Sequence, residues 1–527
     1  MELHWADWMA AEALGTRGTL HRVATGITPS GPIHLGNIRE VMTADLVYRS
    51  LQSKNIDPDL IYIADSFDPL RKVYPFLPES YRQYIGKPLA HIPDPQGCCD
   101  NYAEHFLQPF LCALEELGIK PRVLRADRLY KEGAYTNVIT EAMSCREKIS
   151  SLLSEVSGRE MPLNWSPLNA LCRQCGRLSG SAITGFRPEQ HQVDYICDCG
   201  YEGTADYSIG EAKLVWRVDW PARWKALNIT MEPFGKDHAA PGGSYDTGVR
   251  ISREVFGYEP PFPMVYEWIY LKGQGAMSSS TGVAVSIEDL LELIPPQVVR
   301  YLIARARPEK HIEFDPGQAL INLLEEYDKL ERIHFGEEPA DEASAAQAGR
   351  LYSLSQPDGE GEARQMRIPF RHMVVSAQIA RGSFGRLKEV LSRSGYEQAL
   401  QDEERTRREM EYALVWLDKY APPAFIFEVR EKLPKEAGLL SAAQRRALLQ
   451  VAERLEGYNP DAKELESMLY TVAGESGLKS TQLFQAIYTV ILGQKSGPRA
   501  APFILSLERD FIVKRLRQAA ATEEEKA

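Results

Sequence analysis

TGITPSGPIHLGN, running from Thr25 to Asn37, joins two segments of different periodicity. Ahead of it, Leu20 to Ala24 with Val23 at its centre reads as a short buried strand; after it, Ile38 to Leu51 spaces its apolar residues as a helix does. The stretch is therefore a strand-to-helix turn. Such a turn aims unpaired backbone N–H groups and the positive end of the helix dipole at whatever lies above the sheet, which favours a phosphate. Gly31 and Gly36 let the backbone approach closely, Pro29 and Pro32 stiffen it, and His34 adds a side-chain donor. The spacing is neither GxGxxG nor a Walker loop, so neither a dinucleotide nor an ordinary NTPase is indicated.

Working outward, PDLIYIADSFDPLRK carries a second apolar strand, Leu60 to Ala64, that ends at Asp65. Strand, turn, helix and strand make a βαβ unit, the first half (residues 1–83) of an α/β, Rossmann-like parallel sheet whose site lies at the carboxyl ends of its strands. Loops, prolines and cysteines dominate residues 84–207, which read as an insertion. Parallel-sheet character is expected again over residues 208–285, with strands at LVWRVDW (Leu214 to Trp220) and PMVYEWIYL (Pro263 to Leu271). Each is followed by a glycine-bearing turn, EPFGKDHAAPGGSYDTG and KGQGAMSSSTG. Residues 286–335 have helical spacing, and 336–365 read as a linker or loop rich in Ala, Ser, Gly and acid. Residues 366–527 read as an all-helical C-terminal domain ending in the acidic tail TEEEKA.

With 527 residues, 44% of them hydrophobic and 25% charged, the chain has the profile of a soluble protein of several domains. Its start has no basic region followed by an apolar run, and no stretch approaches a membrane span; a reducing cytoplasm is the expected compartment. A net charge of −12 argues against indiscriminate nucleic-acid binding. It leaves room for a specific RNA that meets local basic groups: Arg405, Arg407 and Arg408, Arg445 and Arg446, or Lys514, Arg515 and Arg517.

The cysteines point to metal rather than disulfides. Cys172-x-x-Cys175 and Cys197-x-Cys199, separated by 21 residues, offer four thiolates in two tight pairs, the donor set of a closed tetrahedral zinc site. Asp94, Cys98, Cys99 and His105 offer a second set with mixed O, S, S and N donors.

HLGN and AMSSS resemble the two signatures of class I aminoacyl-tRNA synthetases, the HIGH-type motif and the KMSKS-type loop. TPSGPIHLGNIRE, DPLRKVYPF, YIGKPLAHIPDPQGC, AEHF, LVWRVDWPARW, EPFGKDHAAPGGSYDTG and GQGAMSSSTG resemble, in order, the class I lysyl-tRNA synthetases, and the likeness continues through RIPFRHMVVSAQ and GPRAAPFILSLERDFI. It implies activation of lysine by ATP with Mg2+ to lysyl-adenylate, transfer to the 3′ end of tRNA(Lys), and an anticodon-binding C-terminal domain. On that basis the ATP site comprises Pro29, Ser30, Gly31, His34, Gly36, Asn37 and Lys272, and the loop over the pyrophosphate comprises Met277, Ser278, Ser279 and Ser280. The loop departs from the family pattern, with Ala276 and Ser279 where KMSKS has lysines; Lys272 is the nearest substitute. That departure leaves a catalytically impaired paralogue acting as an RNA-binding module as the alternative.

For lysine the resemblance implies a pocket of Gly26, Thr28, Trp216, His238 and Tyr266, whose rings suit a butyl stem and an ammonium. Asp65, at a strand end beside the site, is the expected anionic partner for one of the amines. The likeness also implies zinc at Asp94, Cys98, Cys99 and His105, hence two structural zincs. A glutamate enzyme of the same class would need an arginine beside this pocket, and the expected pocket residues include none.

Overall fold

The computed structural model describes residues 3–158, 160–162, 164–273, 275–276, 285–359 and 368–521. The chain divides into two compact units, Met1–Phe314 with Pro339–Glu360, and Asp315–Glu338 with Gly361–Ala527. Among the described residues no helix is long and apolar enough to cross a membrane.

The first unit is built on a five-stranded parallel sheet. An N-terminal helix, α1 (Trp5–Arg17), which the sequence reading did not foresee, precedes the predicted strand, helix and strand: β1 (Arg22–Ile27), α2 (Leu35–Gln52) and β2 (Asp59–Ala64). β1 and β2 pair in parallel from Arg22 opposite Asp59 to Ile27 opposite Ala64. The next helix and strand, α3 (Tyr102–Glu116) and β3 (Arg122–Arg125), fall inside the stretch expected to be an insertion, yet β3 extends the sheet beside β2. The insertion therefore starts later than the sequence suggests. Leu107, Phe110, Ala113 and Leu114 carry the helical spacing of α3, which the surrounding prolines and cysteines obscure.

The second half of the sheet also departs from expectation. LVWRVDW is not a central strand. Ala212–Leu214 forms a short antiparallel pair with Leu168–Ala170, and Trp216–Ala226 is helix α4. Pro221 explains the difference in part, since a proline cannot donate to a central ladder. The three-to-four spacing of Trp216, Asp219, Trp220, Arg223 and Trp224 sets one face of α4 toward the sheet. The missing strand is β4 (Met231–Gly235), which the reading assigned to a turn; β5 (Phe262–Tyr266) pairs with it in parallel.

The resulting order, β5-β4-β1-β2-β3, reverses direction between β1 and β4. That is the switch point at which doubly wound sheets bind ligands, outside the carboxyl ends of their strands. Here β1 and β4 share only the pairing of Val23 with Met231. Pro233, two residues on, has no N–H to continue the ladder, so the strand ends separate where a ligand must enter.

The expected linker contains a helix, Glu342–Ser355, N-capped by Asp341 and belonging to the first unit. Its alanines favour helix, which the composition alone disguised as loop. Arg300, fully buried, fastens its end: the guanidinium donates to the Leu354 carbonyl at 2.9 and 3.1 Å, to the Leu117 carbonyl at 3.0 Å and to Asp45 at 2.7 Å.

The second unit is helical in every regular segment described, including Gln318–His334, Glu403–Lys419, Ala442–Gly457, Ser480–Leu492 and Arg509–Ala521. Leu448, Val451, Leu469, Ile487 and Leu516 lie in its core. Two residues of the expected basic patches are structural. Arg445 is buried against the Leu440 and Gly438 carbonyls, and Arg515 against those of Val490, Arg430 and Glu431. Arg446, Lys514 and Arg517 remain exposed.

Replacing Arg300 by Met should loosen the end of helix Glu342–Ser355 by about 3 kcal/mol, the scale for removing one member of a buried ion pair. Hydrogen exchange in that helix should then quicken by about a hundredfold. Protection equal to that of the wild type would contradict the role given to Arg300.

Candidate functional site

The TGITPSGPIHLGN turn begins at the end of β1 and closes on the first residue of α2. His34 is the N-cap: its Nδ1 accepts from the Gly36 N–H at 3.1 Å, while Asn37 Oδ1 accepts from the His34 N–H at 3.2 Å, a reciprocal capping box. Burial pushes the His34 imidazole down to about 4, so it is neutral near pH 7. With Nδ1 an acceptor, the ring proton sits on Nε2, which remains as the donor. The cap thus fixes the tautomer that a phosphate needs. Gly31 is required for a separate reason: a Cβ there would lie 2.6 Å from the Phe76 ring.

Two cavities open beside this turn and meet at Thr28. The larger, about 410 Å³, is lined by Gly26, Thr28, Glu40, Asp65, Trp216, Asp219, Trp220, Arg223, Glu232 and His238 among others. The smaller, about 230 Å³, is lined by Ser30, Gly31, Pro32, His34, Asn37, Tyr74 and Phe76 as well as Thr28. The Trp216 ring stacks on Trp220 at 5.8 Å and meets His238 at 5.4 Å, giving the larger cavity an aromatic wall.

Its charges fall into two sets. Asp65 is buried and ion-paired with Arg223, which also reaches Asp219 at 3.2 Å; Lys213 joins Asp219 to Asp68, each at 3.2 Å. Tyr130 donates to Asp219, and Thr28 to Asp68 at 3.0 Å. Burial opposes ionisation of Asp219, but Lys213 and Arg223 outweigh it and hold the carboxyl below its ordinary range. Asp65 is raised, burial outweighing Arg223.

Glu40 and Glu232 differ, because their hydrogen bonds come from neutral donors. Glu40 accepts from Thr25 Oγ1 at 2.8 Å, the Gly26 N–H at 3.0 Å and the Tyr266 hydroxyl at 2.9 Å. Glu232 accepts from the indoles of Trp220 at 2.9 Å and Trp224 at 2.5 Å. Burial lifts both to about 7, against the neutral donors at Glu40 and against the charge of Arg223 and the two indoles at Glu232. Among the described residues neither carboxylate has a cation in hydrogen-bond contact, so both are poised to ionise when one arrives.

The expected residues thus sort as follows. Gly26, Thr28, Asp65, Trp216 and His238 come together in the larger cavity, and His34, Asn37, Ser30 and Gly31 in the smaller. Pro29 is buried in the turn between them, and Gly36 gives its N–H to the cap. Tyr266 is buried behind the larger cavity, holding Glu40. Asp65 is not an open anion awaiting an amine, since Arg223 already neutralises it. Lys272 is exposed beyond strand Ile269–Leu271, its backbone N–H bonded to the Phe314 carbonyl. Met277, Ser278, Ser279 and Ser280 lie outside the described residues.

Glu40, Glu232, Asp219, Arg223, Asp68 and Lys213 were missed. Glu40 sits four residues beyond Gly36 on α2, a spacing that returns a helical side chain to the same face. Asp219 and Arg223 share a face only if their segment is helical, so reading it as strand concealed them.

Two groups of side chains can hold metal. Cys172 and Cys175 flank a turn after strand Leu168–Ala170; Cys197 ends strand Gln192–Cys197, and Cys199 lies in the next turn, which Gly200 completes at φ 87°. Sγ of Cys172 lies 3.7 Å from that of Cys199, and Cys175 Sγ is 3.7 Å from Cys197 Sγ. A tetrahedral zinc with Zn–S bonds of about 2.3 Å spaces its sulfurs by about 3.8 Å, so the tetrathiolate is compatible with zinc. In the second group, His105 Nδ1 is 2.9 Å from Asp94 Oδ1 and 3.3 Å from Cys98 Sγ, and Cys98 Sγ is 3.7 Å from Cys99 Sγ. Each group keeps its four ligand atoms within 4.8 Å of one another.

The parallel sheet thus carries a histidine-capped helix at its switch point with a cavity of about 410 Å³ beside it. The family model described as "tRNA synthetases class I (K)" matches residues 3–358, and one described as "Anticodon binding domain" matches residues 420–520. The chain is 49% identical to the lysine–tRNA ligase of Methanosarcina barkeri (strain Fusaro), covering 99% of each chain. It is 46% identical to the lysine–tRNA ligase of Archaeoglobus fulgidus, covering 98% of this chain and 100% of the relative. The chain belongs to the class I lysyl-tRNA synthetase family.

Metal analysis of the purified protein should find at least one tightly bound ion per chain, and the double variant Cys172→Ser, Cys175→Ser should lose one. Metal-free wild-type protein that stays folded would contradict the assignment.

Proposed function

We infer that the chain is a lysine–tRNA ligase that makes lysyl-adenylate from lysine and ATP and transfers lysine to the 3′ end of tRNA(Lys). One observation carries the choice of amino acid: Glu40 and Glu232 sit in the larger cavity with neutral donors alone. A side-chain ammonium at Glu40 supplies the missing cation, while the butyl stem lies against Trp216 and Trp220. A glutamate side chain would set a third carboxylate against these two.

Activation needs positioning and charge neutralisation rather than a covalent nucleophile. The lysine carboxylate lies toward Thr28, where the cavities meet, and attacks the α-phosphorus of ATP held over the start of α2. Pyrophosphate leaves, with Nε2–H of His34, the Asn37 Nδ2 amide and the backbone N–H groups of Gly31 and Ile33 as donors to the developing charge. ATP brings Mg2+, which screens its phosphates. In the second step a terminal ribose hydroxyl bonds to the lysyl carbonyl carbon as the bond from that carbon to the adenylate oxygen breaks. AMP leaves, and the hydroxyl proton passes to its phosphate or to water. Lys272 and the Met277–Ser280 loop act at the pyrophosphate. The helical second unit reads the tRNA anticodon, with Arg446, Lys514 and Arg517 as phosphate contacts. Zinc fills both ligand groups as a structural ion, four protein ligands leaving no position for a reacting water. The setting is the cytoplasm.

Lysine-dependent exchange of pyrophosphate into ATP tests this reading. His34→Ala should lower it by about two orders of magnitude, the scale for one oriented donor to a developing charge, with fold and bound metal retained. Exchange within threefold of wild type would remove His34 from the mechanism, and exchange supported by another amino acid but not by lysine would overturn the substrate.

The pH dependence follows from Glu40. In the empty site its carboxyl titrates at about 7, and an ammonium binds the ionised form. Lysine affinity should therefore be highest above pH 7 and weaken as pH falls, by up to about tenfold per unit, because the proton must leave before the cation binds. A lysine KM unchanged between pH 6 and 8 would contradict this.

A further inference from the structure

The steps set out for lysine activation leave the segment Arg71-Lys72-Val73-Tyr74-Pro75-Phe76 without a role, yet its Tyr74 and Phe76 form one rim of the smaller cavity. The Tyr74 and Phe76 rings are parallel to within 2° with centroids 5.5 Å apart. Phe106 meets Phe76 edge-on at 5.4 Å and steadies it from the side. Phe76 nevertheless keeps 39% of its surface exposed, although it is a large apolar ring beside a catalytic turn. The same segment carries two exposed cations: Arg71 lines the larger cavity, and Lys72 Nζ lies 5.4 Å from the Tyr74 ring centroid. Among the described residues neither makes an ion pair.

Aromatic faces interleaved with cations in one short segment suit a single-stranded nucleic acid, whose bases stack while its phosphates meet positive charge. ATP is the other base-bearing ligand here, but its triphosphate is served by the start of α2. Two further cations beside the aromatic pair fit a ligand that brings a phosphate of its own, an internucleotide one. The position agrees, because this rim adjoins Thr28, which lines both cavities and where the lysyl carbonyl awaits attack.

We propose that Phe76, backed by Tyr74, stacks the terminal base of the tRNA acceptor end, and that Arg71 and Lys72 neutralise the phosphate preceding it. This sets the terminal ribose at Thr28. The proposal rests on the lysine–tRNA ligase reading and gives these four residues a part in the transfer step.

The test separates the two half-reactions. Wild-type enzyme loaded with lysyl-adenylate is mixed with subsaturating tRNA, and single-turnover transfer is compared with pyrophosphate exchange. Phe76→Leu should lower transfer by roughly ten- to hundredfold, the range for one lost base–aromatic stack, and by at least tenfold more than it lowers exchange. Phe76→Trp should restore transfer, since a stacking face and not phenylalanine itself is required. A tRNA carrying 2-aminopurine as its terminal base should be quenched on binding to wild type and brighter on Phe76→Leu. Replacing Arg71 and Lys72 together by Gln should flatten the dependence of tRNA affinity on salt by about one counterion, that of the phosphate they share. Equal losses in transfer and exchange, unchanged transfer, or an unquenched terminal base on wild type would each overturn the proposal. The fluorescence arm needs no lysine. If lysine activation itself proves wrong, exchange is absent while quenching still reports on the stacking platform.

Discussion

The contact between Asp65 and Arg223 ties together the two halves of a sheet that the sequence interrupts with residues 126–230. Asp65 follows β2, and Arg223 projects from α4, the helix that re-enters the core after the insertion. Asp219, Lys213 and Asp68 extend the contact back to Thr28 in the catalytic turn. Desolvating so many charges is expensive, and an apolar replacement of equal volume would often be as stable. What the network supplies is geometry, a fixed position for α4 and therefore for Trp216 and Trp220. Arg223 and Lys213 give their hydrogen bonds to Asp65, Asp219 and Asp68, so among the described residues neither donates to Glu40 or Glu232, and Arg223 acts on Glu232 only at longer range. On the proposed reading, the selectivity of the cavity follows from which carboxylates the network leaves out.

A second constraint is the backbone at the switch point. Pro233 ends the pairing of β1 with β4 after one bridge, and the strands part where the cavity lies. Glu232, next to that proline, is carried into the gap and caught by two indoles of α4. Local chemistry, a missing N–H, thereby opens the site that long-range charge pairing shapes.

The first βαβ unit was legible because strand, turn and helix each announce themselves within a few residues: the Val23 strand, the glycines and prolines of the turn, and the helical spacing beyond Ile38. The four-cysteine group was legible from its spacing, whereas the group of Asp94, Cys98, Cys99 and His105 was expected from the family resemblance. The second half of the sheet was not. In LVWRVDW, alternation and helical spacing coincide over seven residues, and only Pro221 and the Asp219–Arg223 pair favour helix. In MEPFG a proline and a glycine imitate a turn, while the burial on both faces that accompanies its strand comes from α4 on one side and α2 on the other. Glu40 was hidden for another reason, since a glutamate on a helix ordinarily faces water and its burial depends on Tyr266, more than two hundred residues away. In the helical unit the basic runs misled in part. Arg445 and Arg515 spend their guanidinium groups on backbone carbonyls at helix ends, which composition cannot distinguish from a surface awaiting phosphate.

The central claim is that the cavity recognises a side-chain ammonium through a carboxylate held by neutral donors. Pyrophosphate exchange driven by lysine or by norleucine, which has a similar stem and no ε-charge, measures this most directly when wild type is compared with Glu40→Gln. The account predicts that wild type favours lysine in kcat/KM by at least two orders of magnitude, and that Glu40→Gln reduces the preference to less than tenfold. A lysine preference undiminished in Glu40→Gln would contradict it.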